Sequence, residues 1–86
     1  MSKISDNKKE KIKGDILRLL YDEYPKMFYT YEIADTLLRN DEFILKLLLE
    51  LRRNKAVHGI EENKGNKIKR KWGMNAIIYN TYSNLL

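Results

Sequence analysis

Eighty-six residues, 43% hydrophobic and 34% charged, suffice for one small globular domain with a thin core. No run approaches the roughly 18 apolar residues of a membrane-spanning helix, and the N-terminus lacks the apolar stretch of a signal peptide. The chain has no cysteine, which excludes a disulfide framework and a thiolate zinc site. We therefore expect an intracellular, cytoplasmic protein without a membrane partner.

The net charge of +5 is unevenly distributed. Residues 1–43 hold eight basic and nine acidic side chains, whereas residues 44–86 hold nine basic and only three acidic ones. A basic half on a small domain indicates a polyanionic partner, although many surface lysines on a soluble protein would give the same balance.

The first element in the chain is a helix. Residues 1–7 are expected to be a frayed terminus, and residues 8–24 carry apolar side chains at spacings of three and four: Ile12, Ile16, Leu17, Leu20 and Tyr24. Gly14 interrupts this pattern at a cost of about 1 kcal/mol relative to alanine, so that the firm start of the helix is expected at Asp15. Pro25 ends the helix, because the residue before proline avoids the helical region.

Two further helices follow a short extended connector, residues 27–29. Thr30 is a good N-cap for a second helix over residues 31–38. Arg39 and Asn40 form the turn, and Asn40 or Asp41 caps a third helix over residues 41–54. The third helix has an inward stripe made of Ile44, Leu47, Leu48 and Leu51. The pair Asn54–Lys55 is expected to hold the left-handed residue that closes it.

A basic hairpin spans residues 57–74. Residues 63–66, Asn-Lys-Gly-Asn, suit its tip, and residues 63–72 hold five Lys or Arg and no acid. Strand alternation places Lys67, Lys69 and Lys71 on one face, about 6.7 Å apart, and Trp72 on the other, in the core. Gly59 is expected to mark a bulge, because Val57 and Ile60 differ in parity.

Residues 75–86 are compatible with two structures. Asn75 can cap a helix that aligns Ile78, Tyr82 and Leu85, yet the same residues are good strand formers. We favour a helix, which would extend the domain and could pair two subunits.

The order of helix, extended link, helix, turn, helix and two-stranded ribbon resembles the winged helix-turn-helix family of DNA-binding domains. The resemblance covers residues 12–74. Residues 28–37 resemble the family's entry into its second helix, and residues 48–57 resemble the end of its third helix. The bias toward Lys, Ile, Asn and Tyr resembles small archaeal, viral or plasmid transcriptional regulators.

The resemblance implies an α+β, mostly helical fold. It has a three-helix core, a two-stranded β-wing and a C-terminal helix, with residues 8–74 as the winged-helix domain and residues 75–86 as an extension.

The function implied is sequence-specific or semi-specific binding of double-stranded DNA by a transcriptional regulator. The apolar stripe of residues 75–86 adds the expectation of a homodimer. Helix 41–54 would enter the major groove, and the basic wing 60–72 would contact the backbone or minor groove. Lysines on the wing would neutralise phosphates, while Arg and Asn near the third helix could read guanine and adenine. The candidate DNA-binding residues are Tyr31, Arg39, Asn40, Lys46, Arg53, Lys64, Lys67, Lys69, Arg70 and Lys71.

Less specific roles are available to the same residues. The wing lysines could keep an exposed edge ribbon from aggregating, Tyr31 could serve in packing, and Lys46 or Arg53 could be ordinary solvated side chains. Residues 43–51 hold seven apolar side chains in nine positions, and Asp41 and Glu42 begin the third helix. These features favour the alternative function, a winged-helix module that binds another protein without reading bases.

An enzyme is not expected. His58 is the single histidine, the paired carboxylates are neighbours in sequence, and no glycine-rich phosphate loop is present. The sequence predicts no metal, no cofactor and no small-molecule effector.

Overall fold

The computed structural model describes residues 6–85. The rest of the expected frayed terminus, residues 1–5, and the last residue of the C-terminal extension lie outside the described residues. Four helices and three strands follow one another: α1 (Asp6–Asp22), β1 (Phe28–Tyr29), α2 (Thr30–Leu37), α3 (Asp41–Arg53), β2 (Val57–Lys64), β3 (Lys67–Met74) and α4 (Ala76–Leu85). The α+β class, the order of the elements and the C-terminal helix are confirmed.

Helix α1 runs without interruption through Gly14, so the predicted start at Asp15 is wrong, and Asp6 and Asn7 are helical rather than frayed. Ile12, on the N-terminal side of the glycine, is fully buried together with Ile16. Packing of this apolar face outweighs the modest helix penalty of one glycine.

Helix α2 begins one residue earlier than predicted, and Thr30 is not its N-cap. Tyr29 holds that position, and its backbone N–H donates to the Glu32 carboxylate at 2.8 Å. The Thr30 hydroxyl instead accepts a hydrogen bond from the Trp72 indole, also at 2.8 Å. The threonine thus joins α2 to the sheet.

Asn40 caps α3, as predicted. Its side-chain oxygen accepts from the backbone N–H groups of Glu42 at 2.8 Å and Phe43 at 3.2 Å. The helix ends at Arg53, one residue before the predicted end, and Lys55 is the left-handed residue that follows it, with φ 64°.

The sheet has three antiparallel strands in the order β1-β3-β2, rather than the two predicted. The connector was predicted to be extended, and no strand pairing was predicted for it. Its residues Phe28 and Tyr29 pair with Trp72 and Lys71. Strand β1 therefore ties the base of the wing to α2.

The predicted bulge at Gly59 is absent. Pairing of β2 with β3 is continuous from Val57 opposite Met74 to the tip. A Cβ atom at Gly59 would lie 3.0 Å from Cζ3 of Trp72, so the glycine makes room for the indole ring. Ile60 differs in parity from Val57 simply because it faces outward and is 47% exposed.

One hydrophobic core joins α1, α2, α3 and the base of the sheet. It buries most of the apolar positions of the predicted stripes, together with Ile33 and the predicted core residue Trp72: Ile12, Ile16, Leu20, Ile33, Ile44, Leu47, Leu48, Leu51 and Trp72. Leu17 and Tyr24, also predicted in the stripe of the first helix, are half-buried at its edge. The outer half of the hairpin extends beyond this core, since both strands are largely exposed from residue 60 to residue 69.

Helix α4 packs on α1 of the same chain. Asn75 caps it, as predicted, by accepting from the backbone N–H of Ile77 at 2.8 Å. The Tyr79 ring stacks on Tyr24 with 3.9 Å between centroids and lies 4.9 Å from Tyr21. The aromatic contacts fix the extension to the domain, while parts of α4 stay exposed.

Candidate nucleic-acid interface

The wing has two chemically different faces. Residues paired across antiparallel strands share a face, so the register puts Lys67 and Lys69 of β3 on the same face as Lys64 and Glu62 of β2. The indole of Trp72 lies on the opposite face, toward the core. The predicted lysine face is thus confirmed as a geometric feature.

Lysines on this face differ in their surroundings. Lys64, Lys67 and Lys69 are exposed, whereas Lys71, at the base of the wing, is half-buried. The Lys71 ammonium lies 3.6 Å from the Glu62 carboxylate and 5.1 Å from the Tyr29 ring centroid. Lys64 lies 3.9 Å from the Glu62 carboxylate and Lys69 lies 5.6 Å from the Tyr29 ring centroid, so Glu62 and Tyr29 also contact two of the exposed lysines. A polyanion would meet these exposed lysines near the tip before it reached Lys71.

Tyr29 and Glu62 brace the wing against α2, and sequence reasoning missed both. The Tyr29 hydroxyl donates to the Glu62 carboxylate at 2.7 Å. This hydrogen bond is the main reason that the pKa of Tyr29 is raised and the pKa of Glu62 is lowered. The signal was hidden because the two residues are 33 positions apart and Tyr29 lies on β1, whose pairing with β3 had not been recognised.

Tyr31 lies beside this brace. Its ring stacks on that of Tyr29, with 5.6 Å between centroids, yet the side chain is 52% exposed. Tyr31 therefore packs on Tyr29 and still leaves about half of its surface open to a partner.

Arg70 points the other way from the lysines. It pairs with Glu61 at 3.1 Å, on the face that continues outward from Trp72. Together with Lys69 and Tyr31 it lines an open groove of about 410 Å³ between the wing and the start of α3, where Asp41 and Glu42 form the other wall. The groove thus has cations on one side and carboxylates on the other.

The outer face of α3 carries few cations. Lys46 and Arg53 are exposed, and Leu49 between them is half-buried. These residues line a second open groove, of about 440 Å³, with Glu50 and Asn54. Leu45 is also half-buried, against the core, so the leucines of this helix are only partly available to a partner.

Arg39 and Asn40 sit in the turn before α3, and both are exposed. The side-chain oxygen of Asn40 is taken up by capping α3, which leaves its amide nitrogen for an outside contact. Arg39 lines a shallow groove on α2 together with the carboxylates of Asp35 and Asp41.

Glu50 connects α3 to α1, an ion pair that sequence reasoning also missed. Its carboxylate lies 2.7 Å from the ammonium of Lys13 and 3.8 Å from that of Lys9. The hydrogen bond with Lys13 lowers the pKa of Glu50 and raises that of Lys13.

Residues 6–85 contain neither a candidate metal site nor a candidate membrane-spanning helix. No group of three or more His, Cys, Asp or Glu side chains in that range could hold a metal ion. No helix within it is long and apolar enough to cross a membrane.

Solved structures share this architecture. A mutant MepR from a multidrug-resistant S. aureus clinical isolate matches with a TM-score of 0.70 and 19% identity, over 86% of this chain and 53% of MepR. An S. aureus MepR–DNA complex matches at 0.69 and 18%, over 85% of this chain and 60% of the other. The reduced form of the transcriptional regulator YodB from B. subtilis matches at 0.65 and 14%, over 96% and 85%.

The chain folds as a winged helix-turn-helix domain. At these identities the similarity concerns the fold, and the winged-helix chain spans little more than half the length of MepR. No protein-family model and no curated protein matches it.

Proposed function

We propose that this winged-helix domain binds duplex DNA and serves as the DNA-binding part of a transcriptional regulator. The observation that carries the proposal is the lysine face of the wing. Lys64, Lys67 and Lys69 are exposed on a hairpin that extends beyond the core. Clustered cations of this kind bind phosphates and release condensed counterions.

The MepR–DNA complex supports this choice of partner, because MepR shares this fold over 60% of its chain and was solved in complex with DNA. By analogy of fold, α3 lies in the major groove and the wing reaches the adjacent backbone or minor groove. We also propose that the protein acts in the cytoplasm, where a DNA-binding regulator would meet its partner. The narrower archaeal, viral or plasmid type stays a prediction.

Roles within the interface follow from position. Lys46 and Arg53, exposed on the outer face of α3, would contact base edges or phosphates, and the guanidinium of Arg53 is a group that can pair with guanine. Arg70 and Tyr31 line the groove beside the wing, where Tyr31 can donate to a phosphate. Few base-reading groups on α3 favour semi-specific binding.

We also propose a homodimer that uses α4. Of the predicted stripe, Tyr82 and Leu85 are 41% and 75% exposed, whereas Ile78 is half-buried against the core. Ile77 beside it is 73% exposed and takes its place in the proposed interface. An isologous dimer is the commonest way for a soluble protein to cover such side chains. It would present two α3 helices to half-sites about one helical turn, roughly 34–36 Å, apart.

Replacing Lys67, Lys69 and Lys71 by glutamine tests the DNA-binding proposal. Binding to random-sequence duplex should weaken for every sequence, because phosphate contacts carry no base information. The salt slope, d log K/d log[salt], should flatten by up to about 2.7, at roughly 0.9 per phosphate contact. The measurement is fluorescence anisotropy at several salt concentrations.

The matched control replaces Lys11, Arg18 and Lys26, three exposed cations on α1 and in the turn after it, by glutamine. It removes the same net charge and should leave the slope close to that of the parent chain. Equal slopes for the parent and the wing variant would remove the wing from the interface. Absence of any DNA binding would favour the protein-interaction module instead.

A further inference from the structure

Helix α3 lies between the sheet and α1, and contacts on its two sides show this directly. The Arg52 guanidinium lies 5.9 Å from the ring centroid of Trp72, on β3. Glu50, two residues earlier and so about 200° away around the helix axis, pairs with Lys9 and Lys13 of α1. One side of α3 thus faces the base of the wing, and the other faces the N-terminal half of α1.

The side toward α1 holds an excess of positive charge. Lys9 and Lys13 of α1 meet Lys46 and Arg53 of α3 around Glu50, which lines the groove of about 440 Å³ with the latter two. Glu10, which pairs with Lys13 at 3.3 Å, is a second carboxylate there. Because the four cations outnumber the two carboxylates, this surface keeps a net positive charge after its internal ion pairs are formed.

We propose that the N-terminal half of α1 forms a second phosphate-binding flank, with Lys9 as its contact residue. This inference rests on the proposed DNA-binding function. The major groove is about 12 Å wide and a helix with its side chains is 10–12 Å across, so a helix in the groove has a phosphate backbone on each side. In this arrangement the wing contacts the backbone of one DNA strand, and the α1 side of the domain faces the backbone of the other.

The two lysines have different roles on this flank. Lys13 is only 13% exposed and holds Glu50 at 2.7 Å, so it fixes α1 to α3. The Lys9 side chain is 31% exposed and lies 3.8 Å from the same carboxylate, too far for a strong hydrogen bond. Lys9 can therefore exchange Glu50 for a phosphate oxygen without disturbing the joint between the helices.

Glu50 limits the affinity of this flank, because its carboxylate competes with phosphate for Lys9 and repels the backbone. Glutamine keeps the shape of the side chain and removes the charge. Glu50→Gln should therefore bind duplex DNA more tightly than the parent chain, with a salt slope steeper by up to about 0.9.

The test is a salt titration of binding to random-sequence duplex with the full chain. Lys9→Gln should flatten the slope by about 0.9, the value for one phosphate contact. Lys11→Gln is the matched control. It lies on the same helix about 200° around the axis from Lys9, is exposed, and should leave the slope unchanged. Thermal melting of each variant confirms that the fold is kept.

Two results would overturn the second flank: equal slopes for Lys9→Gln and Lys11→Gln, or unchanged or weaker binding by a folded Glu50→Gln. A double variant, Lys67→Gln with Lys69→Gln, separates this failure from that of the proposed function. If the wing variant flattens the slope and Lys9→Gln does not, only the second flank is wrong. If neither does, DNA binding itself is in doubt.

Discussion

Trp72 joins the wing to the helical core through three different contacts. Its ring is fully buried, its indole N–H donates to the Thr30 hydroxyl at 2.8 Å, and the Arg52 guanidinium lies over the ring. The residue thus connects β3 with both α2 and α3. Strand parity predicted its burial, but not the bond to Thr30, since that threonine was expected to cap a helix.

Trp72→Ala should destabilise the domain by about 3–5 kcal/mol, as large-to-small changes of a buried aromatic residue do. That is a large share of the stability of a small domain. Trp72→Phe, which keeps a ring but loses the indole hydrogen bond, should cost less. Urea unfolding followed by circular dichroism measures both. A Trp72→Ala protein that melts like the parent but no longer binds DNA would move Trp72 to the functional surface.

At the scale of single elements, two glycines have opposite environments. A Cβ atom at Gly59 would come within 3.0 Å of the buried Trp72 ring, whereas one at Gly14 would meet nothing within 4 Å. Strand β2 needs its glycine for space, and α1 does not need its own.

Gly59→Ala should therefore destabilise the protein by about 1–3 kcal/mol, since the indole cannot move aside without disturbing the core. Gly14→Ala, the matched control, should stabilise it by about 1 kcal/mol, because alanine is the better helix former at an exposed position. Denaturant midpoints of the two variants should shift in opposite directions. Shifts of the same sign would mean that the indole can move, or that α1 is interrupted at Gly14 after all.

Local signals in the sequence predicted most elements. The apolar stripes of α1 and α3, the cap at Asn40 and the glycine-containing tip of the hairpin depend on residues close together in the chain. Strand β1 was missed because two residues carry no periodic pattern, and its pairing with Trp72 and Lys71 is formed across more than 40 positions. The Gly59 bulge was wrongly predicted for a similar reason. The glycine makes room for the Trp72 ring on the partner strand, and this contact cannot be read from the residues next to Gly59.

In the candidate interface, too, only the features that depend on residues close together in the chain were predicted. Parity alone predicted the lysine face of the wing. The brace between Tyr29 and Glu62, and the ion pairs of Glu50 with α1, could not be predicted, because they depend on how elements pack. Sequence reasoning therefore found the cations but not the carboxylates and tyrosine that position them.

At the scale of the whole molecule, α4 bears on the oligomeric state. Its Tyr79 ring packs against Tyr21 of α1 and stacks on Tyr24 just after α1, but Ile77 and Leu85 are largely exposed. Light scattering on the full chain should give the mass of a dimer at high micromolar concentration. The double variant Ile77→Glu and Leu85→Glu should be a folded monomer, since a charged side chain at either position opposes burial in a dimer interface. A monomeric parent chain would contradict the dimer and leave α3 without a second half-site.

We propose that the wing, α3 and the α1 side together bind the phosphate backbone of a DNA duplex. The most direct test is the affinity of the unmodified chain for random-sequence duplex DNA between 50 and roughly 200 mM salt. Contacts by the four wing lysines Lys64, Lys67, Lys69 and Lys71, with Lys46 and Arg53, predict a slope of about −5.4, at roughly 0.9 per phosphate, so that affinity falls more than about a thousand-fold across this range. No binding at the lowest salt concentration, or an affinity that does not change with salt, would contradict the account.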